Sequence, residues 1–307
     1  MSFPAALRKG VLLLVLLACL APPLGAQIGE QIGAYTGKNA KGYLQPLSDA
    51  IGAEINSAIF RTGHVGKVGF SVRLEFPVMG VIFPDEDKTF SAVTECGFSP
   101  EQRVTAPTVV GSEKAVIVEG DGGTAFAFPG GFNLHSFGLT VPQLRVGNVL
   151  GTEAIVRGFV VRTGGEDVGD FTLFGIGAHH SISQYLSPGF PVDIAAGFLW
   201  QTFGLSGDDA SDDLMSASAF TIGVQASMRF VQFVVPYGGL SYDNFAMEVN
   251  YDSKAGCSEE KVNIDFDTVN TMHLTLGVMV DIPVVNAFLE YNIASRNSFA
   301  FGVGFGI

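Results

Sequence analysis

Past residue 26 the chain has no apolar run approaching the roughly 18 residues that a membrane-crossing helix needs, so helical spans are excluded. Charge is also scarce: 15% of residues are Asp, Glu, Lys or Arg, and only 17 are Lys or Arg. Thirty carboxylates against those 17 give a net charge of −13, with no basic patch, which excludes a nucleic-acid-binding surface. No zinc-protease helix motif, phosphate-binding loop or nucleophile elbow occurs, and no Ser/His/Asp spacing singles out a triad. The chain therefore reads as a non-enzyme, with no cofactor and no metal site. Three cysteines are present. Cys19 falls in the leader, leaving Cys96 and Cys257 as one disulfide or two separate thiols.

What is there is greasy. Mean hydropathy is +0.35, with 39 glycines and 26 phenylalanines. Residues 1–26 read as a secretory signal: Arg8 and Lys9, then the apolar Val11–Leu20, then the exit Leu24-Gly25-Ala26. Its removal takes the net charge from −13 to −15. A second reading ends a lipoprotein signal at Cys19, from which Leu17 departs. An exported hydrophobic chain without helical spans points to a β-barrel, in which alternation dilutes the lipid-facing residues.

Period-two alternation supports this directly. In the last nine residues Phe299, Phe301, Val303, Phe305 and Ile307 share one parity, and Ala300, Gly302, Gly304 and Gly306 the other. Val192–Gln201, Phe220–Phe230 and Met272–Asp281 alternate as cleanly. The pattern predicts ten strands, at 67–82, 139–147, 152–162, 169–181, 190–203, 216–230, 233–249, 262–282, 287–294 and 298–307. Short links (Asn148–Gly151, Gln184–Gly189, Val231–Gln232, Pro283–Asn286) then fall at one end, the periplasmic end of a barrel. Long or acidic links fall at the other: Pro84–Gly138, Gly164–Val168, the GDDASDD run Gly207–Asp213, and Tyr251–Lys261, with both cysteines. That run lacks the ligand order of a calcium loop and reads as a solvated acidic loop. Glu113–Phe128 has room for a further hairpin.

Leu44, Leu47, Ile51, Ile55 and Ile59 recur at helical steps, with Pro46 near the start. A helix there either plugs the lumen from the periplasmic side or lies at the rim. The domain reading is a signal peptide at 1–26, an N-terminal periplasmic or plug segment with the helix at 27–65, and a barrel at 66–307. With lipid outside, the lumen-facing candidates are Lys67, Arg73, Glu75, Arg157, Asp193, Arg229, His273 and Glu290. Mixed signs fit either an electrostatically lined pathway or a structural salt-bridge network. His179 and His180, adjacent in a strand, point to opposite faces and cannot share a metal.

Several strings resemble an uncharacterised family of bacterial outer-membrane proteins catalogued only as a domain of unknown function. They are YLQPLSDAIGAEINS (Tyr43–Ser57), FPDEDKTF (Phe83–Phe90), FPGGF (Phe128–Phe132), VPQL (Val141–Leu144), SISQYL (Ser181–Leu186) and FPVDIAAGF (Phe190–Phe198). The resemblance implies an exported barrel and assigns no catalytic or ligand residues. Such barrels commonly end on an aromatic residue, whereas this chain ends on Ile307.

The sequence thus predicts an all-β fold. It is an antiparallel up-and-down transmembrane β-barrel of about ten strands, within a range of roughly 8 to 14, carrying an N-terminal amphipathic helix. The expected setting is the bacterial outer membrane, with lipid and a small-molecule ligand as partners and the oligomeric state open. The expected function is passage or binding of a small solute or hydrophobic ligand, gated by the helix and the long first loop. The alternative is a closed structural or surface-interaction barrel, and a periplasmic β-sandwich is a further architecture compatible with alternation.

Overall fold

The structure, a computed structural model, describes residues 31–161, 170–186, 190–206, 213–253 and 260–307. The leader, Cys257, the Gly164–Val168 link and Gly207–Asp212 of the acidic run lie outside the described residues. One helix of 19 residues, α1 (Gly37–Ile55), precedes the first strand, β1 (Ser71–Ile82). The long connection that follows carries two small hairpins, β2 (Thr89–Val93) with β3 (Arg103–Pro107) and β4 (Val116–Glu119) with β5 (Ala125–Phe128).

The wall resumes with β6 (Ser136–Thr140), β7 (Gln143–Val149), β8 (Thr152–Val161), β9 (Phe171–Ser181) and β10 (Asp193–Ser206). It continues through β11 (Asp213–Ser227), β12 (Val234–Ser253), β13 (Glu260–Asp267), β14 (Met272–Ile282), β15 (Val285–Ile293) and β16 (Ser298–Gly306). Each strand pairs antiparallel with its neighbours, and β16 returns to β1 from Arg73↔Gly306 to Gly80↔Phe299. The result is a closed barrel of ten staves, because β6 and β7 share one stave and β13 and β14 share another.

Those two staves were expected to be continuous strands, at 139–147 and 262–282. The first breaks at Val141–Pro142, since proline has no N–H for the ladder. Its upper part, β6, pairs with β1 (Val81↔Phe137), while β7 pairs with both β1 and β8. The second breaks between Asp267 and Met272, and β13 pairs with the upper part of β12.

The alternation sorts the side chains as a membrane barrel requires. Phe174, Ile176, Phe198, Trp200, Ile222 and Leu276 are among the outward residues and are left exposed, forming an apolar belt around the cylinder. Their neighbours of opposite parity are buried inside. Glycine and alanine on the inner parity of β16 leave space that the interior uses: Cβ atoms at Gly302 and Gly304 would meet the Phe288 ring and the Asn286 and Glu75 side chains. The expected extra hairpin within Glu113–Phe128 is present as β4 and β5, outside the wall.

The end carrying Leu150–Gly151, Val231 and Pro283–Val284 has the short turns, which in an outer-membrane barrel mark the periplasmic end, and it takes that name. The helix was expected at the periplasmic mouth. It is instead lodged in the opposite half of the lumen, against β1, β6, β12, β13 and the β2 strand of the first hairpin. Physically, its apolar stripe needs an apolar lining, and only the outer half of the lumen supplies one: Met79, Val81, Val141, Phe203, Phe245 and Phe266 are buried there. It also starts well before Pro46 and stops at Ile55, so Ile59 belongs to the segment beyond it.

Candidate functional site

The interior is a lumen filled by the chain's own residues 32–66. In its outer half the contact is apolar. Tyr43, Leu44, Leu47, Ile51 and Ile55 are buried against the wall and the hairpins. Two glycines permit the close approach: Cβ atoms at Gly42 and Gly52 would lie 2.5 Å from the Phe90 ring and 2.9 Å from the Phe245 ring. Asn39 reaches the edge of β2, donating to the Val93 carbonyl at 2.7 Å and accepting from the Val93 N–H at 3.1 Å. The Thr36 N–H donates to Glu95 Oε2 at 2.7 Å, satisfying a free donor where no side chain caps the helix start.

A latch holds the same half. Arg296, in the β15–β16 connection, forks onto the Asp87 carboxylate, with Nη2–Oδ1 at 2.7 Å, and lies 3.7 Å from Asp49 of α1. Its backbone is tied to Asn270 by two hydrogen bonds of 2.8 Å. Burial works against the Arg296 charge, yet the bond and attraction to Asp87, with Asp49 behind, raise the guanidinium above the ordinary arginine range. Burial pushes the Asp49 carboxyl up, partly offset by the hydrogen bond from Gln45 and by Arg296. Three separate segments therefore meet at one cation. Replacing Arg296 with glutamine should cost the outer half about 1–3 kcal/mol, between the values of exposed and buried pairs. The measurement is amide exchange on α1, which should speed up roughly 5- to 150-fold while β10 and β11 stay protected; unchanged α1 protection would refute the latch.

Below Ile55 the chain leaves the helix and descends to the periplasmic end, and its contacts become polar. The wall caps the helix C-terminus: Arg157 Nη1 donates to the Ile55 and Ser57 carbonyls at 3.1 and 3.3 Å, and Gln201 Nε2 donates to Ile55 at 2.9 Å. A buried cation at the negative end of the helix dipole supplies what the last turn itself lacks, having no basic residue. Ala58 N–H donates to Glu290 Oε1 at 3.0 Å, while Tyr237 donates to Oε2 at 3.1 Å. Ser57 and Ser298 hydroxyls lie 2.6 Å apart. Thr221 Oγ1 lies 2.7 Å from Asn56 Oδ1 and 2.9 Å from Asp243, which pairs with His273 Nδ1 at 2.5 Å.

Lower still is the densest charge cluster. Glu75 accepts from Arg61, from Arg145 Nε at 3.0 Å and from Gln143 at 2.9 Å. Arg61 also lies over the Phe288 ring, 4.1 Å from its centre. Arg145 continues to Glu153 and to the Ile59 carbonyl, and Glu153 meets His179 at 3.1 Å. The Phe60 ring stacks near His179 and occupies the space left by Gly197, where a Cβ would lie 2.5 Å from it. At the rim the Gly63 N–H donates to Ser227 at 2.9 Å and the Gly66 N–H to Asn148 at 3.0 Å.

Four of the eight sequence-derived candidates, Glu75, Arg157, His273 and Glu290, lie buried in this lumen. The other four do not line it. Lys67 precedes β1, is exposed and donates to the Gln184 carbonyl at 3.2 Å. Arg73 and Arg229 share Asp281 at 3.5 and 3.3 Å, and Asp193 faces His64 at 3.4 Å, all at the periplasmic rim. Inward parity holds only where the wall has neighbours on both sides; at the strand ends the same parity opens to water. Parity alone reaches Arg145, Glu153 and Asp243, which the sequence reading passed over. Arg61, in an irregular segment, carries no periodic signal. His179 points in and His180 out, bonded to Thr152 at 2.8 Å and Tyr185 at 3.0 Å. Cys96 is disulfide-bonded, to a partner outside the described residues.

A small cavity remains between plug and wall beside Asn56, Ser241, His273 and Glu290, leaving about 10 Å³ for the centre of a water molecule. That admits one water and no solute.

A model of a family of unknown function, DUF6588, matches residues 8–307. The chain belongs to that family. No curated protein matches this DUF6588 chain. Among solved structures it is similar to a loop-deleted OmpT, an outer-membrane protein of Vibrio cholerae, at 12% identity over 80% of this chain and 100% of that one, with a TM-score of 0.27. It is similar to Ail, the attachment invasion locus protein of Yersinia pestis, at 9% identity over 78% and 99%, with a TM-score of 0.26. A FadL homologue of Pseudomonas aeruginosa matches at 8% identity over 89% and 94%, with a TM-score of 0.25.

Proposed function

We propose that this DUF6588 barrel is an outer-membrane conduit for small polar solutes, closed at rest by residues 32–66 and opened when that plug shifts along the barrel axis. The observation carrying this reading is the chemistry of the lower lumen. The wall there presents Glu75, Arg157, Gln201, Thr221 and Glu290, and each bonds the plug. Water can replace each of these bonds, at a net cost of about 0.5–1.5 kcal/mol for neutral groups and about 1.5–3 kcal/mol for charged ones, so a displaced plug leaves a lining that water can wet. The outer half behaves differently: apolar packing and the Arg296 latch hold the helix, so opening requires a stimulus acting from that side.

The test is conductance in planar bilayers. Wild-type protein should pass no measurable current, and deletion of 43–60 should give discrete openings. A deletion variant that keeps heat-dependent gel mobility, and so is folded, yet conducts no better than wild type would overturn the proposal. A permanently closed barrel that presents its outer face to partners is the second reading, favoured by wall-to-wall pairs such as Glu75–Arg145 and Asp243–His273, which persist without the plug.

A further inference from the structure

Among the described residues the barrel wall is not hydrogen-bonded all the way up. Above Gln143↔Arg157 and the bond from Gly158 N–H to the Pro142 carbonyl at 3.0 Å, the stave splits. β6 follows β1, whereas β8 continues to Val161 paired with β9. Among the described residues no hydrogen-bonded pairing joins β6 to β8. The split lies at the last residues of a ten-residue strand. A tilted span takes about 9–11 residues, so counting from Thr152 puts the split in the outermost part of the span.

The side chains around the split are apolar, and their exposure follows it. Leu205, Phe171 and Val161 stand at one level on three successive strands, through Leu205↔Phe171 and Val161↔Phe171, all with inward parity. Leu205 is 6% exposed, Phe171 is half-buried and Val161 is 38% exposed. Across the split, the inward Phe137 and Leu139 of β6 are likewise only half-buried, as is Phe159 of β8. Phe137, Leu139, Phe159 and Phe171 pack against the interior core on one side and stay partly exposed on the other, whereas Leu173 and Phe203, away from the split, are buried. Outside, Val156 and Val160 continue the exposed apolar belt up to the split.

We infer that the β6–β8 split is a lateral notch that seats one acyl chain of a membrane lipid against Phe137, Leu139, Phe159, Val161 and Phe171. Continuity with the lipid-facing belt identifies the occupant: the notch opens sideways into hydrocarbon, and none of these five side chains can bond a polar ligand. Filling it covers the part of these side chains that the broken stave leaves exposed. The notch makes no use of plug movement, so it stands or falls apart from the conduit reading.

The experiment places the full chain in phosphatidylcholine vesicles containing a phosphatidylcholine with a diazirine on its acyl chain. Adducts are mapped by mass spectrometry after irradiation. Outward Val156, Val160 and Phe174 serve as positive controls and the buried Leu173 and Phe203 as negative ones. Adducts on the inward Phe137, Leu139, Phe159 and Val161 support the notch; adducts confined to the outward set overturn it. Phe159→Trp, which adds bulk inside the notch, should lower labelling of Phe137 and Leu139 several-fold and leave Phe174 unchanged. Equal labelling in that folded variant would also count against the assignment.

Discussion

Replacing Glu75 with alanine is expected to destabilise the barrel by about 3–5 kcal/mol, the range for breaking a buried ion pair from one side. Glu75 is 2% exposed and is the carboxylate shared by Arg61 and Arg145. Its loss leaves Arg61 buried over the Phe288 ring with no carboxylate in contact, because Glu153 serves Arg145 instead. The desolvation cost of that guanidinium is then opposed by the Phe288 ring, the Ala58 carbonyl and, at longer range, Glu290 and Glu153, and no longer by a directly paired carboxylate among the described residues. The comparison that isolates this cause is the pair Arg61→Met with Glu75→Leu, which removes both charges and keeps the volume. That double variant should recover most of the lost stability in urea unfolding from lipid vesicles. If it unfolds as early as Glu75→Ala, the effect lies in lost packing rather than an orphaned charge.

Gly63→Ala is the second large effect. A Cβ at Gly63 would lie 1.9 Å from the Asp193 carbonyl oxygen and 2.8 Å from the Ile194 nitrogen. Both atoms belong to the wall backbone, so neither can turn aside as a side chain would. The plug must back away from β10, giving up the bond to Ser227, and overpacking of this kind costs about 1–3 kcal/mol. Gly66→Ala is the control. There the added carbon meets the Asn148 side chain, which can rotate, so the loss should be much smaller. Equal unfolding midpoints for the two variants would show that the chain does not pass as close to β10 as described.

Strand positions were legible in the sequence because period-two alternation in a barrel is enforced from both sides, by lipid and by a filled lumen. Val192–Gln201 and Phe220–Phe230 keep their parity for that reason, and β10 and β11 cover most of both. Breaks in the staves were less legible. Pro142 was in plain view, but a proline can also sit at a strand start, and only the separate pairing of β6 with β1 decides between them. The helix was readable from Leu44, Leu47, Ile51 and Ile55, whereas its depth was not. Helical periodicity reports which face is apolar and carries no information about which end of a cylinder receives it. The candidate charges divide by position along the strand: Glu75 and Glu290 lie within the span, Asp193 and Arg229 beyond or at its end. Arg61 escaped notice because its partners are brought to it by the barrel's closure and not by neighbours in the chain.

The pairing of β16 with β1 has a further consequence. These strands complete a ring around residues that lie just before β1 in the chain, so the finished molecule is a thread held in its own eyelet. A helix with its side chains is about 10–12 Å across, and among the described residues a cavity beside the segment below it has room for about one water. The terminal strand is therefore the clasp around the plug as well as the last stave. Movement afterwards is confined to one dimension, along the axis, for as long as that seam holds.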